Sequence, residues 1–351
     1  MDGETSMKII ENESFDQERA LYGVRNVKTV NCRFEGPADG ESAFKECANI
    51  AAEHCFFDLR YPFWHDRGLE VKGCDLTENC RAALWYSRRI RLKDTRLHGI
   101  KALRECADVE LKGCDIRSPE FGWSSKKVTM EDCTAESEYF MMRASGLRFR
   151  GVTFSGKYSF QYIRDAVLEN CRLTTKDAFW HARNVVVRNS VVEGEYLGWY
   201  SQNLTFENCV IRGTQPLCYC KGLRLVNCRM ERTDLAFEKS EVEATVTTPI
   251  DSVKNPKAGR IEAPAVGEVI RDDPAAKGEV VCTGNPAGRC AINTAGALLL
   301  GSAPAVFIVV CAADCGDTGR RSRAAPPARP AGQNRTDSTK PLSPRQGGSS
   351  G

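Results

Sequence analysis

The chain has 351 residues, 42% of them hydrophobic, and carries 49 Lys and Arg against 46 Asp and Glu, a formal net charge of +3. That length can bury a large core, and so even a balance gives no polyanion-binding signal of its own, so nucleic acid is not expected as a partner. Residues 1–12 are polar and mixed in charge, without an apolar h-region, so no secretory signal is expected and a cytoplasmic, reducing setting is the economical one for 17 cysteines.

Residues 7–23 predict a short N-terminal capping helix. Ser14 is placed for an N-cap, Gln17 for closing a capping box and Gly23 for stopping the helix, which would cover an open strand edge. From 24 to 247 a motif of the form apolar-x-apolar-x-x-Cys-x-apolar recurs, as in VKTVNCRF (27–34), VELKGCDI (109–116), LTFENCVI (204–211) and LRLVNCRM (223–230). Cys114, Cys133, Val152, Cys171, Ser190, Cys209 and Cys228 follow Thr95 at steps of 19, while Cys32, Cys55, Cys74 and Thr95 are separated by 23, 19 and 21, as coils with early loop insertions would be. Period-two alternation in each run means strand. Asn or Gly commonly precedes the Cys register and marks a bend, since both tolerate the left-handed region. The expected fold is all-β, a parallel β-helix of about twelve coils that bury their apolar faces by stacking.

Eight cysteines fall in the inward register and are expected to be small core hydrophobes rather than disulfides or metal ligands. Cys218-Tyr219-Cys220 could begin a thiolate site, but no second Cys pair or His-x-His lies at ligand spacing, so no metal and no cofactor is expected. The prolines at 249, 256, 264 and 274 suggest an irregular C-terminal cap over 248–273. Beyond Phe237 only Phe307 is aromatic, and 274–351 reads as a low-complexity, disordered or non-native tail of the kind a frame shift would produce. Residues 291–313 are uncharged and long enough to span a bilayer, yet their polar residues and Pro304 make an anchor the weaker expectation.

Candidate chemistry lies outside the coils, nine to eleven residues after the Cys register. There the third residue of each triplet is mostly small and is expected to point in. The middle residue then points out, forming a column of His65, Tyr86, Glu105, Ser124, Arg143, Tyr162, His181, Tyr200, Tyr219 and Glu238. Two residues earlier, Phe63, Leu84, Leu103, Met141, Phe160, Phe179 and Leu217 are expected on the same outer face, giving an apolar sheet with polar tips that a second copy could cover. Tyr86, Glu105, Arg143, Tyr162, His181, Tyr200 and Tyr219 are the candidate ligand-binding residues, for a saccharide or a small acidic ligand. The alternative is an enzyme, a lyase or isomerase of an acidic saccharide. His181 or Tyr162 would then be its base, Tyr200 its acid, and Arg143 would neutralise a carboxylate.

The segments FDQERALYG (15–23), RYPFWHD (60–66) and VKNPKAGRI (253–261), with the repeated tryptophans, resemble a bacterial family known as domain of unknown function 3737, which is similar in fold to pectin-lyase-like proteins. The resemblance spans about 7–273 and implies that the β-helix is right-handed; it brings no catalytic residues with it.

Overall fold

In a computed structural model the described residues are 6–36, 41–284 and the backbone of 292–293, and all regular structure among them is strand. The chain winds as a parallel β-solenoid of about 14 turns. Each turn supplies a six-residue strand, such as Arg67–Lys72, Arg88–Lys93, Arg164–Glu169 or Arg183–Arg188. A bend and a strand of two to four residues follow, and then a tight arc. Register is in step from coil to coil, with Val128 on Leu147, Ala166 on Val185 and Val185 on Leu204. These inward positions are almost fully buried, and Phe15, Phe34 and Phe57 stack along the axis with centroids 4.9 and 4.8 Å apart.

The bends explain the cysteines. The residue before the Cys register has positive φ in coil after coil, including Asn31, Gly73, Gly113, Asn170, Asn189, Asn208 and Asn227 as expected, and also His54, Asp94 and Asp132. Asn and Asp tolerate this region because their short side chains bond locally. Here they also bond along the axis, Asn227 Nδ2 donating to Asn208 Oδ1 at 2.9 Å. Immediately after the bend the inward side chain meets carbonyls of its own coil and of the coil before. Cys209 Sγ lies 3.3 Å from both Val187 O and Glu207 O, and Cys228 Sγ lies 3.4 Å from Phe206 O. Ser190 does the same with a stronger donor: its hydroxyl donates to Arg188 O at 2.6 Å and accepts from Cys171 N–H at 2.9 Å. The position therefore selects a small side chain with a weak or strong donor. Every cysteine from Cys32 to Cys228 is a free, buried thiol.

The expected N-terminal helix does not form. Lys8–Glu11 pairs in parallel with Arg25–Val30, and Ser14–Phe15 pairs with Arg33–Glu35. Residues 17–23 form an arc whose N–H groups donate to the next coil, Leu21 to Ala43 O and Gly23 to Lys45 O, each at 2.9 Å. A helix this short is marginal on its own, whereas coil pairing satisfies the backbone and seats Phe15 on Phe34. The open end is blunted instead by charge. Lys8 stands in register with the buried Val27, and Glu13 lies 19 residues before Cys32, so both occupy positions that are apolar or cysteine further on.

At the other end, strands Ile250–Lys254, Ala258–Ala263 and Val266–Ile270 run through the segment expected to be an irregular cap, and Glu279–Cys282, paired in parallel with Ala258–Ala263, forms within the stretch expected to be a disordered or non-native tail. Of that expected tail, residues 274–284 are described; the remainder, with the 291–313 segment, lies outside the described residues apart from strand Ile292–Asn293.

Asp66 is an outlier in the core. It occupies the inward register shared by Cys47, Ser87 and Cys106, is 2% exposed, and accepts from Cys47 N–H at 2.8 Å through Oδ1 while Oδ2 has no partner. Burial pushes its carboxyl up to about 8. The folded chain thus holds a proton that the unfolded chain, with an ordinary value of 3.8, has released. This contribution is fully present below about pH 4, declines as pH rises, and is lost once pH passes about 8. Asp66→Ser, the residue type of Ser87, should flatten that decline in urea denaturation curves between pH 4 and 9; an unchanged slope would refute the assignment. Separately, Ser190→Val should cost about 1–3 kcal/mol by orphaning the buried Cys171 N–H, since Arg188 O keeps the Asn170 N–H at 3.1 Å, and Ser190→Cys less than half of that. Equal losses would show that packing, not the hydrogen bond, governs the position.

Candidate functional site

The arc that closes each coil carries the candidate column. Its residues have φ between 52° and 62° from His65 to Tyr219. At other bends Asn, Asp and Gly are common, the low-strain choice for such a conformation. Here the bulky Tyr86, Arg143, Tyr162, His181, Tyr200 and Tyr219 are held there instead, as are the buried Phe160, Phe179 and Leu217 two residues before three of them, so the arc carries backbone strain on both its outer and inner sides.

The column faces outward as expected, with Tyr86, Tyr162 and Tyr200 exposed and the following residues, such as Ser87, Cys106, Ser125, Ala144 and Ser201, buried. The expected apolar outer sheet beside it is not there. Phe63, Leu84, Leu103, Met141, Phe160, Phe179 and Leu217 are 0–1% exposed and belong to the core. The left-handed residue breaks the alternation, so two consecutive residues point out and the one before them points in. The basis for self-association through an apolar face disappears with that sheet. The tryptophans one residue earlier, Trp64, Trp85, Trp123, Trp180 and Trp199, consequently lie half-buried beside the column rather than inside. Trp180 and Trp199 stack at 5.4 Å and 7°, and Trp199 Nε1 donates to Gln215 O at 2.8 Å.

The candidate residues fall into separate groups. Tyr86 stacks on His65 at 4.9 Å, and Glu105 lies 3.5 Å from Arg104, whose guanidinium sits over Trp85 and Trp123 at 5.3 and 5.1 Å. Beyond Ser124 the other five form one ladder. Arg143 lies over Tyr162 at 5.3 Å, and Tyr162–His181, His181–Tyr200 and Tyr200–Tyr219 stack at 4.9, 5.1 and 4.9 Å with planes within 13°. At the far end Tyr219 O–H donates to Glu238 Oε2 at 3.2 Å, and Lys254 Nζ lies 3.2 Å from Glu238 Oε1. One extra residue between Tyr219 and Lys239 puts Glu238 in the tryptophan position and Lys239 in the left-handed one, so Glu238 flanks the ladder rather than continuing it.

Because each inner ring covers its neighbours, the ladder offers ring edges, phenol hydroxyls and imidazole nitrogens rather than open ring faces. Burial, and then the nearby Arg183, push His181 below the ordinary histidine value, so the imidazole is neutral at pH 7. Burial and Glu238 push Tyr219 upward, keeping its proton on. Arg143 has no acidic partner within ion-pair distance among the described residues. Depressions of about 420 and 280 Å³ lie elsewhere, on the face of the six-residue strands around Glu70, Arg91 and Glu110 and around Arg224, Glu243 and Arg260. They are shallow grooves between crossing ion pairs such as Arg91–Glu70 and Arg260–Glu279, and we place the candidate site at the ladder. His98, which looks isolated in the sequence, is buried with Nε2 2.9 Å from Asp115 and Nδ1 3.4 Å from Arg96, so both ring nitrogens are engaged. Cys218 and Cys220 are buried and bonded to backbone carbonyls, and among the described residues no three His, Cys, Asp or Glu groups converge as a metal site would require.

Solved structures similar to this chain include the A-module of the mannuronan C-5 epimerase AlgE6 from Azotobacter vinelandii, at 10% identity and a TM-score of 0.34, covering 82% of this chain and 90% of that one. The tailspike protein of E. coli bacteriophage HK620, in complex with a pentasaccharide, is 10% identical with a TM-score of 0.33, covering 82% and 72%. Neither likeness is close enough to carry a residue assignment across. No curated protein sequence matches the chain. Residues 8–282, which include every strand from Lys8–Glu11 to Glu279–Cys282, match one family model, and the chain belongs to that family, DUF3737, described as a protein of unknown function.

Proposed function

We propose that this protein is a binding scaffold for a carboxylate-bearing saccharide, held at the ladder from Arg143 to Tyr219. The observation that carries this is an unpaired guanidinium fixed over Tyr162 at the head of a ring stack that presents hydroxyls at coil spacing. The guanidinium would take the carboxylate in a bidentate pair, and Tyr162, His181 and Tyr200 would bond sugar hydroxyls through their edges. A cytoplasmic setting is part of the proposal and draws on the free thiols from Cys32 to Cys228, against which stands the disulfide-bonded Cys282 at the C-terminal end.

The enzymatic alternative, a lyase or isomerase of an acidic saccharide, draws on the same residues. The neutral His181 imidazole suits a general base and Arg143 a carboxylate clamp. Against it stands the geometry of the ladder. Both faces of the imidazole are stacked, and Tyr200, the partner acid, is a stacking neighbour in line with it rather than opposite it across a substrate.

The test is calorimetric titration of the full chain with short oligouronates and with neutral oligosaccharides of equal length, followed by product analysis. Arg143→Gln should weaken oligouronate binding about tenfold, the value of a charge-assisted pair. The Tyr162→Asn/His181→Asn double variant should abolish it while changing stability by less than about 1 kcal/mol, because Asn tolerates the left-handed backbone. Equal binding by wild type and both variants would remove the ladder as the site. Turnover that Arg143→Gln and the double variant both lose would favour the enzyme.

A further inference from the structure

Two residues beyond each ladder position the chain displays another outward column, at the first residue of each six-residue strand. On successive coils it reads Arg67, Arg88, Ala107, Lys126, Ser145, Arg164, Arg183 and Gln202, with Lys221 on the coil of Tyr219. Arg67 stands directly on Arg88, and Arg164 directly on Arg183. Like charges in direct register on neighbouring strands repel.

Elsewhere on the solenoid many cations in register alternate with acids or end on them. Arg91 lies between Glu70 and Glu110 at 3.3 and 3.4 Å, Arg150 meets Glu131 at 2.6 Å, Arg188 meets Glu207 at 2.6 Å, and Arg212 meets Glu231 at 2.8 Å. A run of Lys72, Lys93 and Lys112 is closed at its ends by Glu53 and Glu131. The column beside the ladder meets an acid only at its far end, where Glu241 follows Lys221 in register and accepts from Lys257 Nζ at 2.6 Å; from Arg67 to Gln202 it meets none. Arg67, Arg88, Lys126, Arg164, Arg183 and Lys221 are exposed, and none has an acidic partner within ion-pair distance among the described residues. The nearest acid in sequence, Asp165, is engaged by Asn184 Nδ2 at 2.9 Å. Arg143, Arg164 and Arg183 thus place one unpaired cation on each of three consecutive coils, alongside Tyr162, His181 and Tyr200.

We propose that this row is the track of a linear polyuronate, an extended saccharide with one carboxylate per ring, lying along the solenoid axis with successive carboxylates on successive coils. The proposal rests on the saccharide reading of the ladder and names its ligand class. The repulsion between stacked guanidinium groups is relieved when carboxylates lie across them, each of which a guanidinium can take bidentately. Single-stranded nucleic acid is the poorer fit, because bases stack on open aromatic faces and the inner rings of this ladder cover one another.

The experiment measures affinity of the full chain for an oligouronate of about eight rings, long enough to cross the ladder at coil spacing, for a neutral oligosaccharide of equal length, and for an oligothymidylate. It uses Arg164→Gln/Arg183→Gln beside the control Arg150→Gln/Arg188→Gln. The track variant should lose oligouronate affinity tenfold or more, with a flatter dependence on salt, and the control less than about threefold. Its melting temperature should be unchanged or higher, since a repulsion is removed; a lower one would overturn the claim that the row is an unrelieved repulsion. Equal losses in both double variants would reduce the track to diffuse charge and overturn it. Binding that the track variant keeps but Tyr162→Asn/His181→Asn loses would overturn the track and leave the ladder reading standing. No oligouronate binding by the wild type would overturn both, and tighter binding of the oligothymidylate would replace the saccharide with nucleic acid.

Discussion

Each coil is tied to its neighbours by one repeated corner, in which a left-handed residue is followed at once by an inward small side chain. The left-handed residue turns the chain by a sharp angle, and the turn aims carbonyls of two successive coils inward, where a side-chain donor can add to backbone bonds such as Asn189 N–H to Glu207 O and Asn170 N–H to Arg188 O. A thiol or hydroxyl at the next position meets those carbonyls, as Cys209 and Ser190 do. The N–H just after each turn depends on the next coil's side chain, as Cys171 N–H does on Ser190 Oγ and Cys114 N–H on Cys133 Sγ, and a buried N–H without a partner is costly, so Cys, Ser or Thr is favoured along the register. Stacked phenylalanines then fill the space between the corners.

The surface ladder is a by-product of the same mechanics. In coils such as that of Phe160 and Tyr162 the closing arc holds two left-handed residues, one inward and one outward, and in-step register brings the outward ones into line about one strand spacing apart. Any side chain placed there becomes part of a column. What distinguishes this column from the equally left-handed but buried Phe160, Phe179 and Leu217 is that its aromatic and charged side chains face outward. The adjoining row of arginines makes the same point in electrostatic terms. Across the rest of the solenoid many cations in register alternate with acids, and the run of Lys72, Lys93 and Lys112 ends on Glu53 and Glu131, whereas beside the ladder Arg67 stands on Arg88 and Arg164 on Arg183 with no acid between.

Much of this was legible beforehand for a physical reason. A register that recurs every 19 residues makes each coil a repeated measurement of the same environment, so the Asn and Gly bends, the inward cysteines and the outward phase of Tyr162, His181 and Tyr200 stand out of a single chain. The failures occurred where one coil had to be judged alone or where alternation was carried through a bend. Residues 14–23 satisfy the local rules for a helix, but pairing with the next coil and the Phe15–Phe34 stack outweigh them. Phe63 and Phe160 were assigned outward by strict alternation, which a left-handed residue interrupts. His98 looked isolated because its partner Asp115 is 17 residues away in sequence and 2.9 Å away in space.

The sequence by itself determined the period, the all-β class, the inward register and the identity of the ladder, because periodic burial writes itself into residue type. Only the tertiary structure decided which residues flank that ladder, that its inner rings cover one another's faces, and that Arg143, Arg164 and Arg183 stand unpaired on consecutive coils. Those properties depend on register between coils and on the exact sense of each bend. Two chains with the same repeat and the same +3 charge could pair every arginine with an acid or leave a row of them bare, and composition is blind to the difference.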